Sequence, residues 1–149
     1  MKIVIQRVTE ASVSVGGCVT GSIGHGMMVL VGIAEGDTEK EVDRLVAKTA
    51  SMRIFNDENG IMNRSVKDVG GDILAISQFT LLANTRKGNR PSYVMAARPE
   101  VAEPLYVRYC QGLSEALERT VQRGVFGADM KVSLVNDGPV TIIVDTDQL

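Results

Sequence analysis

The sequence predicts a mixed α/β (α+β) fold, formed as a single domain over residues 1–149 with a mostly β core. Two observations predict this class: seven or more short segments have strand patterns, and two have the apolar spacing of an amphipathic helix. The third is length, because 149 residues suit one domain that buries about 70% of its unfolded surface. We expect the helices to cover one face of the sheet.

The first third of the chain predicts three strands. The pair Gly16-Gly17 marks a tight turn, so the segment before it and Cys18–Ile23 are expected to form a hairpin. The apolar run Met27–Ile33 is bounded by glycines, which indicates a strand buried on both faces. The first strand has the period of two that is typical of β-structure, at Val4, Gln6, Val8, Ala11, Val13 and Val15.

The first helix is predicted from its start. Thr38 and Glu41 have the spacing of a capping box, in which each side chain accepts a hydrogen bond from the other's backbone N–H. The residues that follow form an apolar stripe at helical spacing, at Val42, Leu45, Val46, Thr49 and Ala50.

The second half of the chain predicts one more helix between strands. A strand is expected within Asp72–Leu82 and a helix over most of Pro99–Arg123. Two final strands, Lys131–Val135 and Val140–Asp145, flank Asn136–Pro139. Because Asn, Asp and Gly favour tight turns, the simplest interpretation of that segment is a hairpin turn.

The charge and cysteine content of the chain exclude some classes of binding partner but identify none. The chain has 16 basic and 18 acidic residues, a net charge of −2, which excludes a generally basic nucleic-acid coat but allows a local basic patch. Cys18 and Cys110 have no Cys or His at metal-ligand spacing, so we expect two buried free thiols and no metal. No apolar run suggests a signal peptide or a membrane span, which predicts a cytoplasmic protein.

The pentad Ser77-Gln78-Phe79-Thr80-Leu81 is a candidate for chemistry. If it ends a strand, Gln78 and Thr80 share a face on which an amide and a hydroxyl can bind a polar ligand. An ordinary amphipathic strand is the alternative interpretation. A hydroxyl nucleophile needs a base, and the single histidine, His25 between two glycines, fits a turn better than a catalytic dyad.

Two further segments invite a functional interpretation. Pro139 lacks the N–H of a ladder donor at the start of a predicted strand, and the geometry of the Gly138-Pro139 bond stays open. Arg86, Lys87 and Arg90 lie in one loop, where they suit either phosphate contact or simple solvation. The chain has neither a P-loop nor a dinucleotide-binding glycine motif, so no nucleotide cofactor is expected.

Together these segments resemble the D-aminoacyl-tRNA deacylase family. Ser77 to Leu81 matches the family's Ser-Gln-Phe-Thr-Leu motif, and Asn136 to Thr141 matches its Asn-x-Gly-Pro-Val/Phe-Thr motif. The likeness covers nearly the whole chain and includes Phe126 to Met130. Asn84 and Tyr93 depart from residues that are common in relatives, Asp and Phe respectively.

The resemblance implies a homodimer with a three-layer β/β/α deacylase-type fold and active sites at the subunit interface. A cis Gly138-Pro139 pair from one subunit would enter the partner's pocket, hold the substrate's α-amino group and exclude L side chains. The implied reaction hydrolyses the ester between a D-amino acid and the 3′-terminal adenosine of tRNA, which recycles mischarged tRNA. Glycine, including glycine mischarged on tRNA-Ala, would also be accepted.

The resemblance also suggests residue roles. The catalytic set is Ser77, Gln78, Phe79 and Thr80. In the favoured mechanism backbone N–H groups at Phe79 and Thr80 stabilise the oxyanion and the substrate's 2′-hydroxyl assists water, and the alternative is Thr80 as a covalent nucleophile. Met130 would line the pocket and Arg7 would brace the Gly-Pro segment. The expected tRNA contacts are Arg86, Lys87 and Arg90, and no cofactor is expected. A non-catalytic nucleic-acid-binding β-domain is the competing hypothesis.

Overall fold

Most strands form one mixed sheet in the computed structural model, which describes residues 1–149. The strands are β1 (Lys2–Val15), β2 (Cys18–Ile23), β3 (Gly26–Gly32), β4 (Phe55–Asn56), β5 (Met62–Arg64), β6 (Asp72–Ser77), β7 (Gln122–Arg123) and β8 (Lys131–Asp145). The helices are α1 (Glu39–Ser51), α2 (Pro99–Leu117) and two short 3₁₀-helices, Phe79–Leu82 and Thr146–Gln148. The predicted mixed α/β class with a mostly β core is confirmed.

The long strand β1 organises the sheet. It pairs antiparallel with β8 along one edge, and with β3 and then β2 along the other. Beyond β3 the sheet continues through parallel pairing to β6 and β7. The sheet then curls until β2 lies against β6 and β7, close enough that a Cβ at Gly21 would be 2.9 Å from the carbonyl oxygen of Arg123. The result is nearly a barrel.

The curl divides the apolar residues into two cores. A small core lies inside the curl, and a larger one lies between the sheet and the helices. Strand β3 contributes to both, because Met27 and Val29 belong to the larger core and Met28 to the smaller one. The predicted burial of this strand on both faces is therefore confirmed.

Helix α1 begins as predicted. The N–H of Thr38 donates to Glu41 Oε2 at 2.8 Å, and the capping box is complete. The helix packs against α2, where the hydroxyls of Thr49 and Tyr109 share a buried hydrogen bond of 2.8 Å. Neither helix is long and apolar enough to span a membrane.

Helix α2 covers most of Pro99–Arg123, as predicted, and ends at Leu117, because Glu118 adopts a left-handed conformation at φ 54° and its N–H caps the last turn. The two cysteines differ in outcome. Cys18 is exposed near the hairpin turn instead of buried. Cys110 is buried as expected, and this burial raises the pKa of its thiol to about 11.

The predicted hairpin at Asn136–Pro139 is wrong. The flanking segments do not fold back on each other, because both pair with β1 and together form the single strand β8. The partners change from Gln6–Thr141 to Val8–Asn136, so Arg7 alone stands opposite four residues, 137–140. Pro139 cannot donate to the ladder, and the segment bulges out of the sheet at this point.

Candidate active site

A cavity of about 540 Å³ opens where the parallel strands β3 and β6 end. The first 3₁₀-helix, the segment 93–102 and the loop 126–130 complete its walls. Most of the lining is apolar, and we call this cavity the main pocket.

The predicted pentad forms one wall of the main pocket. Strand β6 ends at Ser77, and the chain turns into the 3₁₀-helix at Phe79, so the expected strand does not extend to Leu82. Gln78 Nε2 nevertheless donates a hydrogen bond to Thr80 Oγ1. The two side chains are brought together by the turn into the 3₁₀-helix and not by a shared strand face. Ser77, Gln78 and Phe79 line the pocket directly.

The turn at Phe79 leaves polar backbone groups beside the pocket. The N–H of Gln78 donates to Val31 O at 2.7 Å, which ties the start of the turn to β3. The first N–H groups of a helical turn, here those of Phe79 and Thr80, have no acceptor within the turn. Two adjacent donors on a fixed backbone are suited to binding an oxyanion.

An aromatic pair stands at the mouth of the main pocket. The rings of Phe79 and Tyr93 meet edge to face with their centroids 5.1 Å apart. Phe79 is 57% exposed and Tyr93 is 39% exposed, so both rings keep a face towards solvent. Such an arrangement leaves aromatic surface available to a ligand that enters the pocket.

Helix α2 supplies the deep wall, which sequence reasoning missed. Ala102 and Tyr106 line the pocket together with Ala97, just before the helix. The Tyr106 hydroxyl donates to Ala75 O at 2.8 Å, and burial raises the pKa of this phenol, so it stays neutral. The spacing of four between Ala102 and Tyr106 is the sequence signal that could have indicated a second helical face.

The main pocket contains little that can transfer a proton. Its single carboxylate is that of Asp129, whose Oδ1 lies 3.1 Å from the ammonium of Lys131. Met130 lines the pocket, and its sulfur packs against Gly124. His25 lies elsewhere, with its ring against Phe55. No group of three or more His, Cys, Asp or Glu side chains is placed to hold a metal ion.

Arg7 and the bulge in β8 form a second cluster. The buried guanidinium of Arg7 donates from Nε to Asp137 O at 3.0 Å and from Nη1 to Ile54 O at 2.8 Å. A cavity of about 210 Å³ adjoins these groups and is also lined by His25 and Asn56. Arg7 therefore joins the bulge to the loop that follows α1.

The side chain of Asn136 closes the bulge. Its Oδ1 accepts the N–H of Val140 at 3.0 Å, and its Nδ2 donates to Thr141 Oγ1 at 3.1 Å. Between these bonds Gly138 and Pro139 are exposed, and the peptide bond that joins them is cis. Neither residue lines the main pocket of its own chain.

The structure thus separates the predicted site residues into three groups. Ser77, Gln78, Phe79 and Met130 line the main pocket, while Thr80 follows in the 3₁₀-helix and does not line it. Arg7 with Gly138 and Pro139 forms the second cluster. The three cations line neither cavity and lie on the exposed loop that follows the 3₁₀-helix, at Arg86, Lys87 and Arg90.

An apolar pocket beside the first N–H groups of a helical turn, with no free base in its lining, is compatible with hydrolysis of an activated ester. The comparisons with known proteins agree. The chain belongs to the family described as D-Tyr-tRNA(Tyr) deacylase, whose model matches residues 4–145.

Curated relatives resemble the chain over almost its full length. The D-aminoacyl-tRNA deacylases of Porphyromonas gingivalis and Bacteroides thetaiotaomicron are each 57% identical to it over 146 residues, which is 98% of this chain and 97% of theirs. The corresponding protein of Flavobacterium johnsoniae is 53% identical over the same coverage.

Solved structures share the fold. A protein titled c-Myc DNA Unwinding Element Binding Protein matches with a TM-score of 0.91 and 44% identity, covering 98% of this chain and 99% of that one. A probable eukaryotic D-amino acid tRNA deacylase matches with a TM-score of 0.84 and 17% identity, covering 96% and 97%.

The Arg7 contacts predict a measurable loss of stability. Arg7→Met keeps the apolar stem but leaves the carbonyls of Ile54 and Asp137 without their donor, which should lower the free energy of unfolding by about 1–3 kcal/mol. Urea unfolding measures this difference. Arg53→Met, at an exposed position in the same loop as Ile54, is the control and should change stability by less than about 0.5 kcal/mol. Equal stability of the two variants would contradict the bracing role.

Proposed function

We propose that this chain hydrolyses the ester that joins a D-amino acid to the 3′-terminal adenosine of tRNA. The observation that carries the proposal is the mostly apolar main pocket, at whose edge Phe79 and Thr80 begin a 3₁₀-helix and so have backbone N–H groups without an acceptor in the turn. Membership of the deacylase family and the names of the curated relatives support the same substrate class. Hydrolysis of mischarged tRNA would place the protein in the cytoplasm, where it recycles the tRNA.

The proposed reaction is water attack on the ester carbonyl. The N–H groups of Phe79 and Thr80 stabilise the oxyanion of the tetrahedral intermediate. Its collapse breaks the bond to the 3′ oxygen, which takes a proton and leaves as the tRNA hydroxyl, while the D-amino acid is released. An aminoacyl ester is activated, so positioning contributes more than a strong base. The substrate's neighbouring 2′-hydroxyl orients the water, and neither a metal nor a cofactor takes part.

Thr80 as a covalent nucleophile is the less favoured mechanism. Its hydroxyl accepts a hydrogen bond from the amide of Gln78, which cannot remove a proton. The only carboxylate in the pocket lining, Asp129, is paired with Lys131. Ser77 and Gln78 therefore shape the pocket and fix the turn, and Met130 packs beside the substrate.

Chirality is selected, in this proposal, by a second copy of the chain. Gly138 and Pro139 are exposed on a bulge that Arg7 and Asn136 hold from behind, so they are free to enter a neighbour's pocket. Their carbonyls would bind the α-amino group, and their bulk would exclude an L side chain. Exclusion of this kind does not depend on which side chain the substrate carries in the D position, so glycyl-tRNA is also a substrate.

The outer side of β8 supplies the surface for this homodimer. Val135 is 49% exposed and Ile143 is 68% exposed, on either side of the bulge in sequence. Apolar side chains this exposed on a strand favour burial against another chain. The dimer would thus form around the same segment that completes the active site.

A non-catalytic nucleic-acid-binding role is the second candidate function. The structural similarity to the c-Myc DNA Unwinding Element Binding Protein favours it, and Arg86, Lys87 and Arg90 would then bind DNA phosphates. Fluorescence anisotropy with a labelled DNA oligonucleotide tests it. Salt-sensitive DNA binding without ester hydrolysis is the pattern expected of this candidate.

The enantiomers of one aminoacyl-tRNA provide the first test of the proposal. D-tyrosyl-tRNA and glycyl-tRNA should lose their ester faster with the protein than in buffer, and D-tyrosyl-tRNA should exceed L-tyrosyl-tRNA by about 100-fold or more in kcat/KM. Acid-precipitable label measures the remaining ester. Loss of the D ester at the buffer rate would contradict the proposal.

Substitution of Thr80 separates the two mechanisms. Thr80→Ala keeps the backbone N–H, so single-turnover hydrolysis of D-tyrosyl-tRNA should fall by less than about tenfold. Loss of a covalent nucleophile would instead lower the rate on the order of 10⁴-fold or more. Thr80→Ser, which keeps a hydroxyl, is the matched control. Activity in Thr80→Ser together with collapse in Thr80→Ala would restore the nucleophile mechanism.

A further inference from the structure

The positive charge of the chain is concentrated beside the mouth of the main pocket. The 22 residues from Ser77 to Arg98 contain four cations and no Asp or Glu. The rest of the chain carries 12 basic and 18 acidic residues. An anionic ligand would therefore be attracted to this segment and repelled by the remaining surface.

Three of the cations lie on an arch. The backbones of Asn84 and Ser92 exchange hydrogen bonds of 2.8 and 2.9 Å, which closes the base of the loop. The N–H of Arg86 donates to Asn84 Oδ1 at 3.0 Å, and Gly88 takes a left-handed φ of 65° at the tip. We call residues 84–92 the cationic arch. Its tip can extend at most about 10–13 Å from its base, which is the span of three to four fully extended residues.

The cations of this region are free of protein partners. Arg86, Lys87 and Arg90 on the arch and Arg98 before α2 are all exposed, and none forms an ion pair. Other surface arginines are paired, as Arg108 is with Asp43 at 3.0 Å, although exposed Arg53 and Arg123 also form no ion pair. Unpaired guanidinium and ammonium groups are the ones available to phosphates.

Tyr93 connects the cationic arch to the main pocket. It follows the base of the arch directly, and its ring packs on the edge of Phe79 at the pocket mouth. The backbone beyond it is fixed to the end of β3, because Glu35 N donates to Met95 O at 2.8 Å and Ala97 N to Ile33 O at 3.0 Å. A partly exposed ring held on a rigid backbone beside unpaired cations fits single-stranded nucleic acid.

We propose that Tyr93 and the cationic arch bind the unpaired nucleotides that precede the terminal adenosine of the tRNA. One base stacks on the ring of Tyr93, while the arch cations and Arg98 contact the backbone phosphates. The inference rests on the proposed function, which places the terminal adenosine in the adjoining pocket. Stacking accepts any base, because every base presents a flat π-face, so this surface serves tRNAs of different sequence.

The experiment compares a full substrate with a minimal one. The kcat/KM values of D-tyrosyl-tRNA and of 3′-O-D-tyrosyl-adenosine are measured for the unsubstituted chain and for Tyr93→Leu. The loss on the tRNA should exceed the loss on the adenosine ester by about tenfold or more, the effect of one stacked base. Tyr93→Phe keeps the ring and should restore the tRNA value to within about threefold.

The salt dependence of KM tests the cations of the arch separately from Tyr93. Arg86→Gln with Arg90→Gln should reduce the slope of log KM for D-tyrosyl-tRNA against log salt by about 1.4, because each phosphate contact to a single strand contributes about 0.7. The exposed pair Lys48→Gln with Lys67→Gln removes the same charge elsewhere and should leave that slope as it is.

Each other outcome overturns the inference or separates it from the proposed function. Equal losses on the two substrates would confine Tyr93 to the main pocket, and an unchanged salt slope would remove the arch from the interface.

If the unsubstituted chain hydrolyses neither ester, the proposed function fails, and anisotropy with labelled uncharged tRNA then tests the surface alone. Weaker tRNA binding in these variants would support it. Tighter binding to a DNA oligonucleotide than to tRNA would assign the surface to DNA instead.

Discussion

The contact between the buried guanidinium of Arg7 and the carbonyl of Asp137 is the interaction on which the functional architecture depends. Strands β1 and β8 pair along their length except at Thr9, which has no partner, and at Arg7, which stands opposite four residues. An unpaired carbonyl at that gap would be costly, and Arg7 satisfies it while also binding Ile54 O. The ladder can therefore continue on both sides of a bulge that presents Gly138 and Pro139 to solvent.

Local chemistry made much of the fold predictable. The capping box of Thr38 and Glu41 and the apolar run through Met27 specify their own conformations within a few residues, and the structure confirms both. The conformation of Asn136–Pro139 was not predictable in this way. Its residues favour a local turn, but the segments on both sides pair with the 14-residue strand β1, which is distant in sequence. Local rules favour a hairpin there, and long-range pairing with β1 prevails.

The candidate site was predicted in part for the same reason. The pentad at Ser77 carries its own sequence signal, but Ala97 and Tyr106 form the pocket wall only because the segment before α2 and the helix itself pack at the ends of β3 and β6. The sequence also does not show that Gly138 and Pro139 lie away from the main pocket of their own chain. The slight overall acidity is compatible with the proposed action on tRNA, because residues 77–98 carry four cations and no Asp or Glu.

Complementation between two inactive variants tests most directly whether one chain completes the other's site. Phe79→Pro removes one oxyanion donor at a position where proline is tolerated, and Gly138→Asp places a side chain at φ 135°, where its Cβ would lie 2.8 Å from Val140 Cγ2. Each homodimer should be inactive on D-tyrosyl-tRNA. After mixing, unfolding and refolding together, half of the dimers contain one intact site, so activity should return to about one quarter of the unsubstituted level. No recovery, in a mixture shown to form heterodimers, would contradict the shared active site.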